Sequence, residues 1–234
     1  MTENRTAPQP HTHHLRVQRT ARYFTLGGTP GAEPKSIWFV LHGYGQLAAV
    51  FIRYFSDLAS DDTLIVAPEA MNRFYLVGID KAPARDRPVG ATWMTREDRD
   101  CEIADYVEYL DALQAEVAPS AKINVIGFSQ GAATATRWVE HGAATVERLV
   151  LWGGLMPPET DLKRGHAGLR HVPLTYVIGT RDQYVTADMV AAEIARLDAA
   201  GIPHEMIRFN GGHVISRTAF PRITASAISG ASGR

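Results

Sequence analysis

The sequence predicts an α/β fold, a mostly parallel central sheet with helices on both faces, and three observations predict it. Short apolar runs such as "SIWFVLH" (36–42), "TLIVAPE" (63–69) and "LTYVIG" (174–179) have the length and composition of strands buried on both faces. Between them lie segments whose apolar residues recur at three- and four-residue steps, the period of amphipathic helices. The two kinds of segment alternate along most of the chain without an internal repeat, as crossover connections between parallel strands require.

Residues 1–13, rich in Pro, Thr and Gln, are expected to form a disordered lead-in, and residues 14–234 one domain. His11, His13 and His14 lie at this end, but a mobile tail offers no second shell to hold a metal's geometry, so no functional metal site is expected. "LRVQRTARYFTL" (15–26) suggests a hairpin or a pair of edge strands. Strands at 36–42 and 63–69 flank a helix over 49–59. Between 71 and 96 no period is clear, and Pro83 with Pro88 argues against a long element. A helix follows over 99–117, with Ile103, Val107, Leu110, Leu113 and Val117 on one face and Pro119 as its stop. Next come the strand "KINVIGF" (122–128), the helix "QGAATATRWVEHG" (130–142) and the strand "RLVLWGG" (148–154). After "LTYVIG" a helix over about 187–200 carries Val190, Ile194 and Leu197, and Gly201 stops it. "EMIRF" (205–209) is the last strand, and a final helix begins beyond His213.

Composition narrows function. The chain has 234 residues, 45% hydrophobic and 21% charged, as one globular α/β domain would. With 24 basic against 25 acidic residues, it lacks the field that draws in nucleic acid or an anionic membrane. A single cysteine, Cys101, excludes an internal disulfide framework and a thiolate zinc cluster within one chain, and it reads as a structural thiol. No 18-residue apolar run or signal-peptide core is present, so a cytoplasmic protein is expected.

In "NVIGFSQGAATA" (124–135), Ser129 stands between Gly127 and Gly131. G-x-S-x-G places a serine on a sharp strand-to-helix turn, where small flanking residues let strand and helix approach. The alternative is a small-residue turn that merely packs. A serine hydroxyl is a weak nucleophile and needs a base, which in turn needs an orienting carboxylate, in the chain order Ser, Asp, His. Asp182 stands in "VIGTRDQYV" after a predicted strand; a surface turn aspartate is the alternative. His213 stands in "IRFNGGHVIS", where Asn210, Gly211 and Gly212 let the loop bend back over the sheet edge. The alternative is a satisfied loop histidine. His204 precedes its strand and belongs to the opposite rim. For the oxyanion, the glycine-rich "LHGYGQ" (41–46) nominates the backbone N–H of Tyr44, together with that of Gln130.

With these residues in place, the sequence resembles the α/β-hydrolase superfamily and, within it, the phospholipase/carboxylesterase group that includes bacterial carboxylesterases and acyl-protein thioesterases. The resemblance spans about residues 38–214 and is anchored on "FVLHGYG", "VIGFSQGA", "GTRDQYV" and "GGH". The gaps of 53 residues from Ser129 to Asp182 and 31 from Asp182 to His213 fit that group. The resemblance implies an α/β-hydrolase fold with Ser129 as nucleophile, Asp182 as orienting acid and His213 as base. This chain departs from the group's pattern at Gln46, where members often carry aspartate, and at Tyr44, where leucine is usual.

The expected reaction is acyl transfer through an acyl-enzyme, on small to medium carboxylic esters, with no cofactor or metal. Candidate pocket residues are Phe74, Tyr75, Leu76, Trp93, Met94, Leu155 and Met156. The chain spares no residues for a large lid domain. The mixed charges of 80–100 read as a solvated surface, with Arg85, Arg87 and Arg96 the alternatives for meeting an anionic substrate group. Other readings of the same site are an acyl thioesterase, a lysophospholipase, a serine peptidase or amidase, and a non-catalytic binder. The expected partner is a small-molecule ester, with no nucleic acid and no membrane span, in a monomer or homodimer.

Overall fold

The apolar runs become neighbouring strands of one sheet in the computed structural model, which describes residues 9–78, 80, 81, 83–119, 121–162, 169 and 171–225. In chain order the elements that position the site are β1 (Tyr23–Gly27), β2 (Ser36–Leu41), α1 (Ala48–Phe51), β3 (Thr63–Pro68), β4 (Asn72–Tyr75), β5 (Val89–Thr92), α2 (Arg99–Val117), β6 (Ile123–Phe128), α3 (Gln130–His141), β7 (Val146–Trp152), β8 (Leu174–Gly179), α4 (Ala187–Ala200), β9 (His204–Phe209) and α5 (Phe220–Ala225). The main sheet has the order β1-β3-β2-β6-β7-β8-β9. β1 runs antiparallel to β3, and every other neighbouring pair is parallel. The C-terminal ends of six strands therefore share one rim, where function collects in such sheets.

β6 and β8 are buried at every position. Alternation along β2 splits the core into two layers, because successive side chains of a strand point to opposite faces. Phe39 and Leu41 join a cluster with Tyr106, Leu110 and Trp138 on α2 and α3. Trp38 and Val40 face the other way, into a cluster with Phe51, Phe55, Trp152 and Phe220. Each of these large side chains contributes roughly 1.5–3 kcal/mol by leaving water. Helices thus cover both faces, the α/β architecture expected, with no large extra domain among the described residues.

The helices expected over 99–117 and 187–200 form at Arg99–Val117 and Ala187–Ala200. α4 is capped by Thr186, whose side chain accepts from Met189 N, and ends at Gly201 with φ 65°. Three expectations change. The hairpin or pair of edge strands over 15–26 is one strand, β1, and residues 15–22 before it are in neither helix nor strand, with the Arg19 and Arg22 side chains donating to Asn72 and Glu69. The helix over 49–59 is a single α-turn followed by a 3-10 turn at Ile52–Phe55, which still buries Phe51, Ile52 and Phe55. The aperiodic stretch 71–96 holds an antiparallel pair, β4 with β5.

Of the expected lead-in, residues 1–8 lie outside the described residues, and 9–13 are exposed and in neither helix nor strand. His14 Nε2 lies 3.1 Å from both carboxylate oxygens of Asp98, just before α2. Cys101 is partly buried on α2, and its hydrogen bond to Asp98 holds the thiol's pKa above the ordinary range.

Candidate active site

Ser129 sits between β6 and α3 with φ 54° and ψ −116°, a backbone that side chains rarely adopt. The flanking glycines make this turn possible. A Cβ on Gly127 would lie 2.2 Å from the Gly131 carbonyl oxygen, and one on Gly131 would lie 2.2 Å from that of Leu41. The Ser129 N–H donates to the Trp152 carbonyl at 2.8 Å, fixing the turn to β7.

Asp182 and His213 meet because their loops are laced together. Thr180 N donates to Phe209 O at 2.9 Å and Arg181 N to Gly211 O at 2.8 Å. A side chain at 179 would strike the carbonyls of Gly211 and Gly212, so the loop after β8 needs its glycine. The result is a 2.8 Å contact between His213 Nδ1 and Asp182 Oδ2. Asp182 Oδ1 accepts from the N–H groups of Tyr184, at 2.8 Å, and Val185, at 3.1 Å. The Asp182 side chain is 1% exposed and that of His213 15%. Such a carboxylate selects the tautomer with hydrogen on Nδ1, which leaves Nε2 free to accept a proton.

The imidazole lies between the Phe128 ring at 4.9 Å and the Tyr184 ring at 4.7 Å, both centroid distances. Phe128 is the residue before Ser129, so this stacking brings the imidazole beside the serine turn. Gly153 completes the fit, since a Cβ there would stand 3.1 Å from His213 Cε1. Among the described residues Ser129 Oγ has no hydrogen bond, to His213 or elsewhere; in unliganded sites this contact commonly tightens only when substrate binds.

The loop after β2 lies against the serine, with a Cβ built on Gly43 reaching within 3.1 Å of Ser129 Cβ. Three of its N–H groups are engaged: Gly43 N donates to Gln46 Oε1 at 2.8 Å, Gly45 N to Ala91 O at 2.8 Å and Gln46 N to Gly43 O at 3.3 Å. The Tyr44 N–H has no acceptor among the described residues, and that of Gln130 opens α3, where no intrahelical partner exists. The Gln46 amide oxygen accepts from the loop as a carboxylate oxygen would, which explains why glutamine is tolerated there. His42 braces the same turn. Its Nδ1–H donates to Gly43 O at 2.8 Å, and Nε2 accepts from Ala70 N at 3.1 Å. Burial pushes its pKa below the ordinary histidine range, so the ring is neutral.

The candidate pocket residues separate. Phe74 stacks on Tyr44 at 5.1 Å, and Leu76 comes within 3.2 Å of a Cβ built on Gly45, so both flank the loop after β2. Met94, half-buried, accepts at its carbonyl from the Gln130 side chain at 2.8 Å. Leu155 is half-buried beside the core. Tyr75 is turned toward Arg87, whose guanidinium lies 4.1 Å from its ring. Trp93 and Met156 are buried in the core: Trp93 stacks on His42 and donates Nε1–H to the His42 carbonyl, and Met156 N is held by Glu193. Arg85 pairs with Asp86 at 3.4 Å.

The architecture agrees with the comparisons. A family model described as phospholipase/carboxylesterase matches residues 29–227. The chain belongs to the phospholipase/carboxylesterase family. Among solved structures of this fold, acyl-protein thioesterase 2 of Zea mays aligns with TM-score 0.67 at 18% identity, over 90% of this chain and 99% of that one. Esterase PE8 aligns at 0.61 and 23% identity over 90% and 99%, and the Bacillus cereus carboxylesterase at 0.62 and 15% identity over 88% and 92%. No curated protein sequence matches the chain. As a member of the phospholipase/carboxylesterase family, the chain is a hydrolase of the esterase type. Sequence reasoning missed Tyr184, Phe128 and Gly153, the immediate surroundings of His213; only the "GG" at 153–154 gave a signal.

Proposed function

We propose that this chain hydrolyses small to medium carboxylic esters through an acyl-enzyme, with Ser129 as nucleophile, His213 as general base and acid, and Asp182 as its orienting partner. The observation that carries the reading is the 2.8 Å Asp182–His213 contact beside a serine held at positive φ. His213 Nε2 takes the Ser129 proton as Oγ attacks the ester carbonyl, and the resulting oxyanion accepts from the N–H groups of Tyr44 and Gln130. His213 then gives the proton to the leaving alcohol. Water, deprotonated by the same imidazole, attacks the acyl-serine, and the imidazolium returns that proton to Ser129 Oγ as the acyl–oxygen bond breaks and the acid leaves. Each oxyanion donor supplies about 3 kcal/mol. Phe74, Leu76, Met94 and Leu155 are the apolar surface for the acyl chain. A thioester follows the same steps, and the likeness to an acyl-protein thioesterase makes it the second substrate class to assay.

A fluorophosphonate probe applied to the native chain and to Ser129→Ala tests the reading. The native chain is expected to form an adduct at Ser129, and the variant none. Nitrophenyl esters of rising acyl length, beside thioester and amide substrates, then rank the acyl groups. Equal labelling of the two proteins, or of neither, would refute the assignment.

A further inference from the structure

At the rim opposite the serine, the sheet carries a polar row where a buried sheet should be apolar. Trp38 of β2 is the register partner of Asn124 of β6, which is in turn the partner of Arg148 of β7, while Ser36 pairs with Thr63. These residues and Thr224 of α5 line an open cavity of about 260 Å³, with Leu58 and Glu147 also at its wall. Asn124 stands five residues before Ser129, so the cavity lies about 16 Å from the nucleophile along the strand.

Arg148 is the feature that calls for an occupant. Its residue is 5% exposed, yet among the described residues it makes no ion pair. Its hydrogen bond there runs from Nη1 to the neutral carbonyl of Ile223, and the enclosed Nε donates to nothing. Buried guanidinium groups are ordinarily neutralised, because an unpaired charge in low dielectric costs several kcal/mol. Burial indeed pulls Arg148 below the usual arginine range, against the attraction of Glu147 and Glu205. Glu205 itself is engaged by Arg222 at 3.3 Å. The Ser36 and Thr63 hydroxyls and the apolar side chains of Trp38 and Leu58 also line the cavity, while the Asn124 amide donates to the Ile37 carbonyl at 3.4 Å and the Thr224 hydroxyl to the Phe220 carbonyl at 3.2 Å.

We infer that this cavity binds a small oxyanion, a carboxylate or a phosphate, with the Arg148 guanidinium as its counter-charge and the Ser36 and Thr63 hydroxyls as further donors. The site is separate from the serine rim, so its occupancy is read as binding and stability rather than as turnover.

Calorimetric titration and thermal unfolding of the full chain, at constant ionic strength, test this with sodium phosphate and sodium butyrate against sodium chloride. The native chain is expected to bind one of the two oxyanions saturably and to unfold at a higher temperature in its presence. Phosphate alone would identify a phosphoanion site and butyrate alone a carboxylate site. Arg148→Met should lose about tenfold or more in affinity. Because that variant can fail to fold, Asn124→Asp is the companion: its carboxylate sits beside the guanidinium, fills the role internally, raises stability without ligand and abolishes the oxyanion response. Ester hydrolysis by both folded variants should stay near native. No saturable binding beyond chloride, or native binding in Asn124→Asp, would overturn the inference.

Discussion

Asp182 uses both carboxylate oxygens, one on His213 and one on the N–H groups of Tyr184 and Val185. An amide cannot accept on both sides without presenting N–H groups to one of them. Asp182→Asn is therefore expected to turn the imidazole to the wrong tautomer and lower kcat about 10³–10⁴-fold, with KM for a nitrophenyl ester little changed. Steady-state kinetics beside a circular-dichroism check of folding measures this; a native kcat would remove Asp182 from the machinery. At this scale the sequence was informative wherever a residue's chemistry is demanding. Gly127, Ser129 and Gly131 announce a turn that only small neighbours permit, and Asp182 and His213 follow strands in the required order. Tyr184 gave no such signal, since an aromatic residue in a loop has many uses, and its edge-on contact with His213 exists only once two loops fold over each other.

Among the elements, Glu69 binds the most together. Its side chain is fully buried after β3, and Oε1 accepts from Arg22 Nε and Arg73 Nε, each at 2.6 Å. Oε2 takes Arg22 Nη2 at 3.1 Å and the Ala48 N–H at 3.3 Å. One carboxylate thus joins the approach to β1, the end of β3, the start of α1 and β4. Burial alone would raise its pKa, but the hydrogen bonds and charges of Arg22 and Arg73 outweigh burial and hold it below the ordinary range. Both arginines are partly solvated, so Glu69→Gln should cost about 2–3 kcal/mol at neutral pH, less than breaking a fully enclosed pair. Urea unfolding measures it, and an unchanged midpoint would contradict the clamp. Sequence periodicity could not reveal this clamp, because its partners come from separate stretches of chain.

For the whole molecule, His42 and Glu69 lower stability toward acid in two stages. The folded state keeps His42 neutral below its ordinary value of 6.5, while the unfolded chain protonates there. The unfolded state then binds more protons, so stability is full above about pH 6.5 and declines as pH falls toward the depressed folded value. Glu69 acts lower: its contribution is intact above its ordinary 4.5 and is lost as pH falls through its depressed folded pKa. Urea midpoints from pH 8 to pH 3 should show both declines in the native chain and a smaller lower one in Glu69→Gln, where Glu159, which against burial the Arg137 guanidinium also holds below its ordinary range, still contributes. A native curve flat between pH 7 and pH 5 would contradict the His42 account.

The order of strands and helices, the two-sided burial of β6 and β8, and the serine, aspartate and histidine as a candidate set were legible in the sequence, because period, composition and turn chemistry are local. The tertiary structure decided what depends on residues distant along the chain. It placed Trp93 and Met156 in the core, turned a presumed hairpin into one edge strand, hid β4 and β5 inside an aperiodic stretch and lined up Asn124 with Arg148. Each of those outcomes follows from which surfaces meet after the sheet has formed, and no window of neighbouring residues carries that information.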